Sequence, residues 1–381
     1  MSDSPPVLID RLRDRRPHIP ATVMLVAMNC AAFAALLLAG AGLWHAPNDI
    51  QLSWGANFGP ATKDGEWWRL ATAMFLHFGL LHLAVNMFAL VEAGRFVERI
   101  LGPWRFLLLY CGSGLAGNLL SLATHGDRGI SGGASGAVFG VYAALLILLW
   151  RERQQIARTE FRWLFWGGLG FTLANIAFGL MVTGIDNGAH IGGLLFGLCA
   201  AVALVRAQLD GTALPRPPRI AAAALLAGCC TVLVWLIPAP SYDWSDELTA
   251  RGEISQFVSA DADISSRWDA IIAQGRRESL SFEELAARIE HQVADRYEAS
   301  FEQLAAMQID PHAPSGRTLD LLKRYAELRR DASSEMVDAL RTRDAQRLRQ
   351  AIEKARTAGV VAGAGSAASA LPADSRDGAQ R

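Results

Sequence analysis

Seven apolar runs, each near the ~17–25 residues that cross the hydrocarbon of a bilayer, decide what this chain can fold into. They lie at 19–44, 69–92, 104–124, 135–150, 163–183, 188–205 and 220–238, the fourth on the short side. Backbone inside lipid must satisfy its own hydrogen bonds, so runs of this kind fold as helices. The expected fold class is therefore all-α, a polytopic membrane helix bundle. Residues 1–19 carry Arg11, Arg13, Arg15 and Arg16 just ahead of the first run, the charge order of a secretory signal. A signal's apolar region is only about 7–15 residues long, and no obvious cleavage site follows this longer one, so it reads as the first span.

The arginines orient the bundle. With the N-terminus in the cytoplasm, the inner segments hold Arg11 to Arg16, then Arg95, Arg99 and Arg105, then Arg151, Arg153, Arg158 and Arg162, then Arg206, Arg216 and Arg219. The outer loops hold Lys63, Arg128 and, at a span edge, Arg69. Cytoplasmic loops concentrate Lys and Arg, so N-in and C-out is the expected topology, and the starts of spans four and six share the outer face. A formal net charge of -1 argues against a nucleic-acid partner. Cys30, Cys111, Cys199, Cys229 and Cys230 all lie in apolar stretches, which speaks for small hydrophobes in spans and against a disulfide framework or zinc ribbon.

Behind a cytoplasmic linker at 208–219 and the seventh span at 220–238, Pro238 and Pro240 mark a change of composition. Residues 241–357 read as an extracytoplasmic helical segment. Ser281 with Glu284 forms a capping box, followed by Phe282, Leu285, Ile289, Val293, Tyr297, Phe301 and Leu304 at helical spacing. A second amphipathic stretch runs from Leu319 to Ile352 beyond the breaker DPHAPSG at 310–316, and 246–275 is a candidate for another helix. The Gly, Ala and Ser of 358–381 show no apolar period, which predicts a disordered tail.

Polar residues inside apolar spans need a reason. Ser135 sits in GGASGAVFG at 132–140, where Gly133 and Gly136 clear side chains from the start of span four. The first amides of that helix have no intrahelical acceptor and can hold an anion. His190, in NGAHIGGLLFG near the start of span six, is an ionisable group at the membrane, where burial without a partner is costly. A neutral imidazole can take a serine proton. His82 and Asn86 stand four apart on one face of span two, and both can donate hydrogen bonds to an oxyanion. Gly136 with Gly140, and Gly193 with Gly197, let two helix backbones touch, which would bring Ser135 to His190. Phe139, one turn below the serine, can pack on the imidazole. Spans two, four and six hold no Asp or Glu at the depth needed to orient His190, and Asp186 falls in a loop, so the expectation is a dyad and not a triad. Taken singly these residues have bland readings: Ser135 as a helix cap, His190 at the lipid interface, His82 and Asn86 as interhelical glue, Phe139 as core packing.

Taken together, Trp68-Arg69, His82-x-x-x-Asn86, GRFVERILG at 94–102, GASG at 133–136 and AHxxGxxxG at 189–197 resemble the rhomboid intramembrane serine proteases, in the family's order and over roughly residues 60 to 205. The resemblance implies a rhomboid-like six-helix catalytic core, here at 20–207, plus a seventh span, the six-plus-one form. It implies Ser135 as nucleophile and His190 as general base. It also implies His82, Asn86 and the Ser135 amide as the oxyanion site, a structural role for His77 on the second helix, and no metal or cofactor. Phe139 stands where many members have a tyrosine stacked on the histidine. Implied partners are the lipid bilayer and transmembrane protein substrates cut near the outer face. The spans make the chain an integral multi-pass membrane protein, and the predominance of Arg, Ala and Leu fits a bacterial plasma membrane. A membrane metalloprotease built on His77, His82 and His190 is disfavoured because HExxH is absent. A transporter would show paired charges and inverted repeats. A catalytically inactive rhomboid-like binder is the alternative, and retention of Ser135 and His190 speaks against it.

Overall fold

The computed structural model describes residues 7–127, 129–207, 209, 211–278 and 280–368, with backbone alone for 361–368. The chain divides between Pro240 and Ser241 into two compact units.

In the first unit, α1 (Leu8–Arg15) buries Leu8 and Leu12 beneath an arginine-rich face, and α2 (Pro20–Leu38) is the first long apolar helix. Three short helices follow, α3 (Asn48–Ser53), α4 (Gly59–Lys63) and α5 (Arg69–Thr72), before α6 (Leu80–Leu101) and α7 (Pro103–His125). Then come α8 (Ser135–Glu152), α9 (Arg158–Met181), α10 (Asn187–Leu204) and α11 (Arg216–Leu236). Two-residue strands β1 (Asn57–Phe58) and β2 (Ile130–Ser131) pair antiparallel, Asn57 opposite Ser131. Seven of these helices, α2 and α6 to α11, are long and apolar enough to cross a membrane. The middle of the bundle is α8, with α6, α7 and α10 packed on it. Most of its residues are buried, against two of α9 and none of α11. The residues of α8 explain this position: Gly136, Ala137, Gly140, Ala143 and Ala144 let neighbours close in on several sides. All five cysteines are free thiols.

Hydropathy misplaces the second span, expected over 69–92. The helix begins at Leu80, because the chain before it is turned into loop pairing: Leu80 N–H donates to Leu43 O, and Ala46 N–H to Phe78 O. Ala73, Met74 and Leu76, apolar enough to look like a span, are buried in protein instead. At the other end α6 runs on to Leu101 through charged side chains that each find a partner. Arg95 pairs with Glu92 at 2.6 Å. The buried Glu98 carboxylate accepts the Ala21 and Thr22 amides at 2.9 and 2.7 Å and the Thr22 hydroxyl at 2.6 Å, capping the free N-terminus of α2. Arg99 donates to the carbonyls of Arg16 and Pro17. Other boundaries shift less. The first span, α2, stops at Leu38, not Trp44; α9 starts at Arg158; and α11 starts at Arg216, inside the expected linker 208–219, with Pro217 and Pro218 in its first turn where their missing N–H costs nothing.

The second unit is helical throughout: α12 (Trp244–Glu278), α13 (Phe282–Ile289), α14 (Asp295–Ala306), α15 (Gly316–Thr342) and α16 (Ala345–Ala368). A single π-type turn, Glu290–Ala294, joins α13 to α14. Ile289, Val293 and Tyr297 meet Ile264, Ile271, Met336 and Leu340 in one core, and Leu304 meets Phe257 and Leu319 in another. The buried Glu247 accepts the Ser315 amide and hydroxyl at 2.9 and 2.8 Å, fastening the DPHAPSG turn to α12. Asp261 accepts the hydroxyls of Tyr297 and Tyr325 at 2.8 Å each. Burial raises the pKa of both phenols, so they stay protonated donors. The expected tail at 358–381 is corrected in part: α16 continues to Ala368, and Ala358 is buried. Alanine's high helix propensity sustains a helix without an apolar stripe. The remainder, 369–381, lies outside the described residues.

The capping box at Ser281 is formed in both directions. Ser281→Ala is expected to cost about 1 kcal/mol locally, so amide exchange in the first turn of α13 should speed up about fivefold. Unchanged exchange there would mean the cap contributes nothing.

Candidate active site

Three helix N-termini meet at one end of the first unit. Ser135 is the first residue of α8, His190 the fourth of α10 and His82 the third of α6. The Ser135 hydroxyl and His190 Nε2 are 2.9 Å apart. Glycine makes this approach possible. A β-carbon on Gly193 would lie 1.9 Å from the Gly136 carbonyl oxygen, and one on Gly197 would lie 2.3 Å from that of Gly140. Any side chain there would force α8 and α10 apart. Gly140 also abuts Ser113 of α7, so three helices share this contact.

His190 is buried and its ring is fixed from one face by Phe139, stacked with centroids 4.3 Å apart and planes at 11°. Its Nδ1 is buried and has no hydrogen-bond partner among the described residues. Asp186 does not reach it. That carboxylate caps α10, accepting the Ala189 amide at 2.9 Å, and its other oxygen accepts the Ser131 hydroxyl at 2.6 Å. The hydroxyl–imidazole pair thus stands without a third acidic member at Nδ1.

The first intrahelical bond of α8 runs from Val138 N–H to Ala134 O, which leaves the amides of Ser135, Gly136 and Ala137 without intrahelical acceptors. Gly133, with φ +140, takes a conformation that side-chain-bearing residues rarely adopt, and a β-carbon on it would stand 3.0 Å from His82 Nε2 and 3.7 Å from the Ser135 hydroxyl oxygen. The imidazole of His82 and the serine hydroxyl therefore border the same small space. Asn86 is one turn down the same helix and buried, and its amide donates to the His82 carbonyl at 2.9 Å. Helix amides without intrahelical acceptors and the N-termini of three helices converge here, an arrangement that favours negative charge.

His77, expected on the second helix, precedes it. It is fully buried, with its ring centroid 5.0 Å from that of His82, and its carbonyl accepts the Gln51 amide at 2.9 Å. Arg69 braces the connection between α2 and α6 by donating to the carbonyls of Leu52 and Ala56 and pairing with Glu66. Among the described residues no group of three or more His, Cys, Asp or Glu could hold a metal ion. Sequence reasoning passed over Ser113 and Ser131, single hydroxyls whose significance depends on contacts far along the chain.

Fold and site together define an all-α polytopic membrane protein that holds a serine against a histidine among helix N-termini. The rhomboid domain family model matches residues 64–207. The chain is 33% identical over 237 residues to rhomboid protease GluP of Bacillus subtilis, an alignment spanning 62% of this chain and 44% of that relative. It is 33% identical over 150 residues to a second Bacillus subtilis rhomboid, YdcA, covering 39% of this chain and 70% of YdcA. Rhomboid-type serine protease 2 of Emericella nidulans is 32% identical over 165 residues, 41% of this chain and 31% of that protein. The chain belongs to the rhomboid family. It spans less than half the length of GluP and of the fungal relative.

Proposed function

We propose that the protein is an intramembrane serine endopeptidase that cuts single-span membrane proteins with a Ser135–His190 dyad. The observation that carries this reading is the 2.9 Å contact between the Ser135 hydroxyl and His190 Nε2, with Nδ1 left unpartnered. His190 takes the proton as the serine oxygen attacks the scissile carbonyl. The amides at the start of α8, with His82 and Asn86, hold the oxyanion. His190 then returns the proton to the leaving amine, and water, deprotonated by the same imidazole, hydrolyses the acyl-enzyme. Phe139 keeps the ring in plane, and Gly133 keeps the oxyanion space open.

The arginine distribution supports an N-in orientation, with the site near the outer face of a bacterial plasma membrane and the second unit extracytoplasmic. A substrate helix must unwind before its carbonyls can be attacked, so substrates carry Gly, Ala or other helix-weakening residues near that face. The test uses purified full-length protein, a model single-span substrate and a fluorophosphonate probe. Wild type is expected to cleave and to be labelled; Ser135→Ala is expected to do neither. Cleavage by Ser135→Ala at the wild-type rate would defeat the reading.

A further inference from the structure

Ser131 and Asp186 stand in the same relation to the two reacting side chains, each four residues ahead, Ser131 before Ser135 and Asp186 before His190. The Ser131 hydroxyl donates to Asp186 Oδ2 at 2.6 Å, within the range of a short, charge-assisted bond. The other oxygen of Asp186 accepts the Ala189 amide at 2.9 Å, and its backbone carbonyl accepts the His190 amide at 3.2 Å. One residue therefore caps the helix that carries the histidine and grips the loop that delivers the serine. The other anchors of that loop lead elsewhere: β2 pairs with β1, and Gly133 N–H donates to Ala73 O at 2.8 Å. Those fix it to the connection between α2 and α6. The Ser131–Asp186 bond fixes it to α10.

A cap needs one carboxylate oxygen. The second oxygen of Asp186 is committed to Ser131, with His125 Nδ1 lying 3.5 Å from the capping oxygen. We propose that Ser131 and Asp186 are positioning residues, whose bond holds the loop before Ser135 against the first turn of α10 and so presets the contact between hydroxyl and imidazole. The proposal rests on the dyad reading given above. Small displacements of reacting groups are costly in rate, whereas binding of a substrate helix depends little on the same bond. The signature is thus a loss in kcat at constant KM.

A cavity of about 80 Å³ lined by both residues gives water room to replace a missing hydroxyl, so Ser131→Ala is expected to fold. In full-length protein with a model single-span substrate, Ser131→Ala should lower kcat about tenfold with KM unchanged. Ser131→Thr, which keeps the hydroxyl, should restore it. Asp186→Asn keeps a capping oxygen and can still bond Ser131 through its NH2, replacing a charge-assisted bond by a neutral one, so it should show a smaller loss than Ser131→Ala, and the double variant should fall no further than Ser131→Ala. Amide exchange gives a readout free of activity: Ser131→Ala should speed exchange at 132–136 and 187–191 together, and Ser131→Thr should not. Wild-type kcat in Ser131→Ala, a loss confined to KM, or a loss that threonine fails to restore overturns the proposal while leaving the dyad intact. If Ser135→Ala cleaves normally, the dyad reading falls instead, and unaltered exchange in Ser131→Ala then overturns the tie as well.

Discussion

His190→Ala is expected to lower cleavage of a single-span substrate by about four to six orders of magnitude, with the protein still folded. On the proposed reading the imidazole takes the serine proton, and its Nε2 stands 2.9 Å from the Ser135 hydroxyl oxygen. With Nδ1 unpartnered among the described residues, the ring is oriented by Phe139, the Ser135 contact and the α10 backbone. Phe139→Leu should therefore cost activity too, though far less, by disordering a ring that is still present. The measurement is single-turnover cleavage beside fluorophosphonate labelling. His190→Ala should lose both, since an unactivated serine hydroxyl is a weak nucleophile. Labelling of His190→Ala at the wild-type rate would show that some other group activates Ser135.

Gly193→Leu should be almost as damaging for a different reason. Even its β-carbon would sit 1.9 Å from the Gly136 carbonyl oxygen, so α8 and α10 must separate to admit it. Overpacking of this severity costs about 3 kcal/mol, and a separation of even 1 Å at the serine and histidine costs about a hundredfold in rate. Lower thermal stability in detergent and loss of cleavage are expected together. Gly167→Leu on α9 is the control: among the described residues nothing beyond its own helix lies within 4 Å of its would-be β-carbon, and both properties should be retained. An active, stable Gly193→Leu would mean that the close approach of α8 and α10 is dispensable.

The seven helices could be read from sequence because lipid imposes one rule on all of them: an apolar run of sufficient length has to be helical. Their ends obey other rules. Residues 69–79 read as part of a span but fold as short helical turns and loop, with Ala73, Met74 and Leu76 covered by neighbouring protein. Conversely, α6 carries Glu98 and Arg99 past the limit hydropathy would set, because backbone amides and carbonyls from other segments receive them. The meeting of Ser135 and His190 was foreshadowed by glycines spaced four apart on two helices, a local pattern with a long-range meaning. No such pattern announces Ser131 against Asp186, a bond between residues 55 apart. Nor does periodicity extend to the end of α16, where alanine propensity sustains the helix without an apolar stripe.

The buried Glu98 has one more effect, on how the bundle responds to membranes of different thickness. By accepting three donors from the first turn of α2, it pins that helix axially to α6, so neither can slide past the other to match a thinner or thicker hydrocarbon layer. Adjustment falls instead to α11, which buries none of its residues and can change its tilt at small cost. The axial register of α2 against α6 is therefore set by the protein's own contacts and not by the thickness of the surrounding lipid.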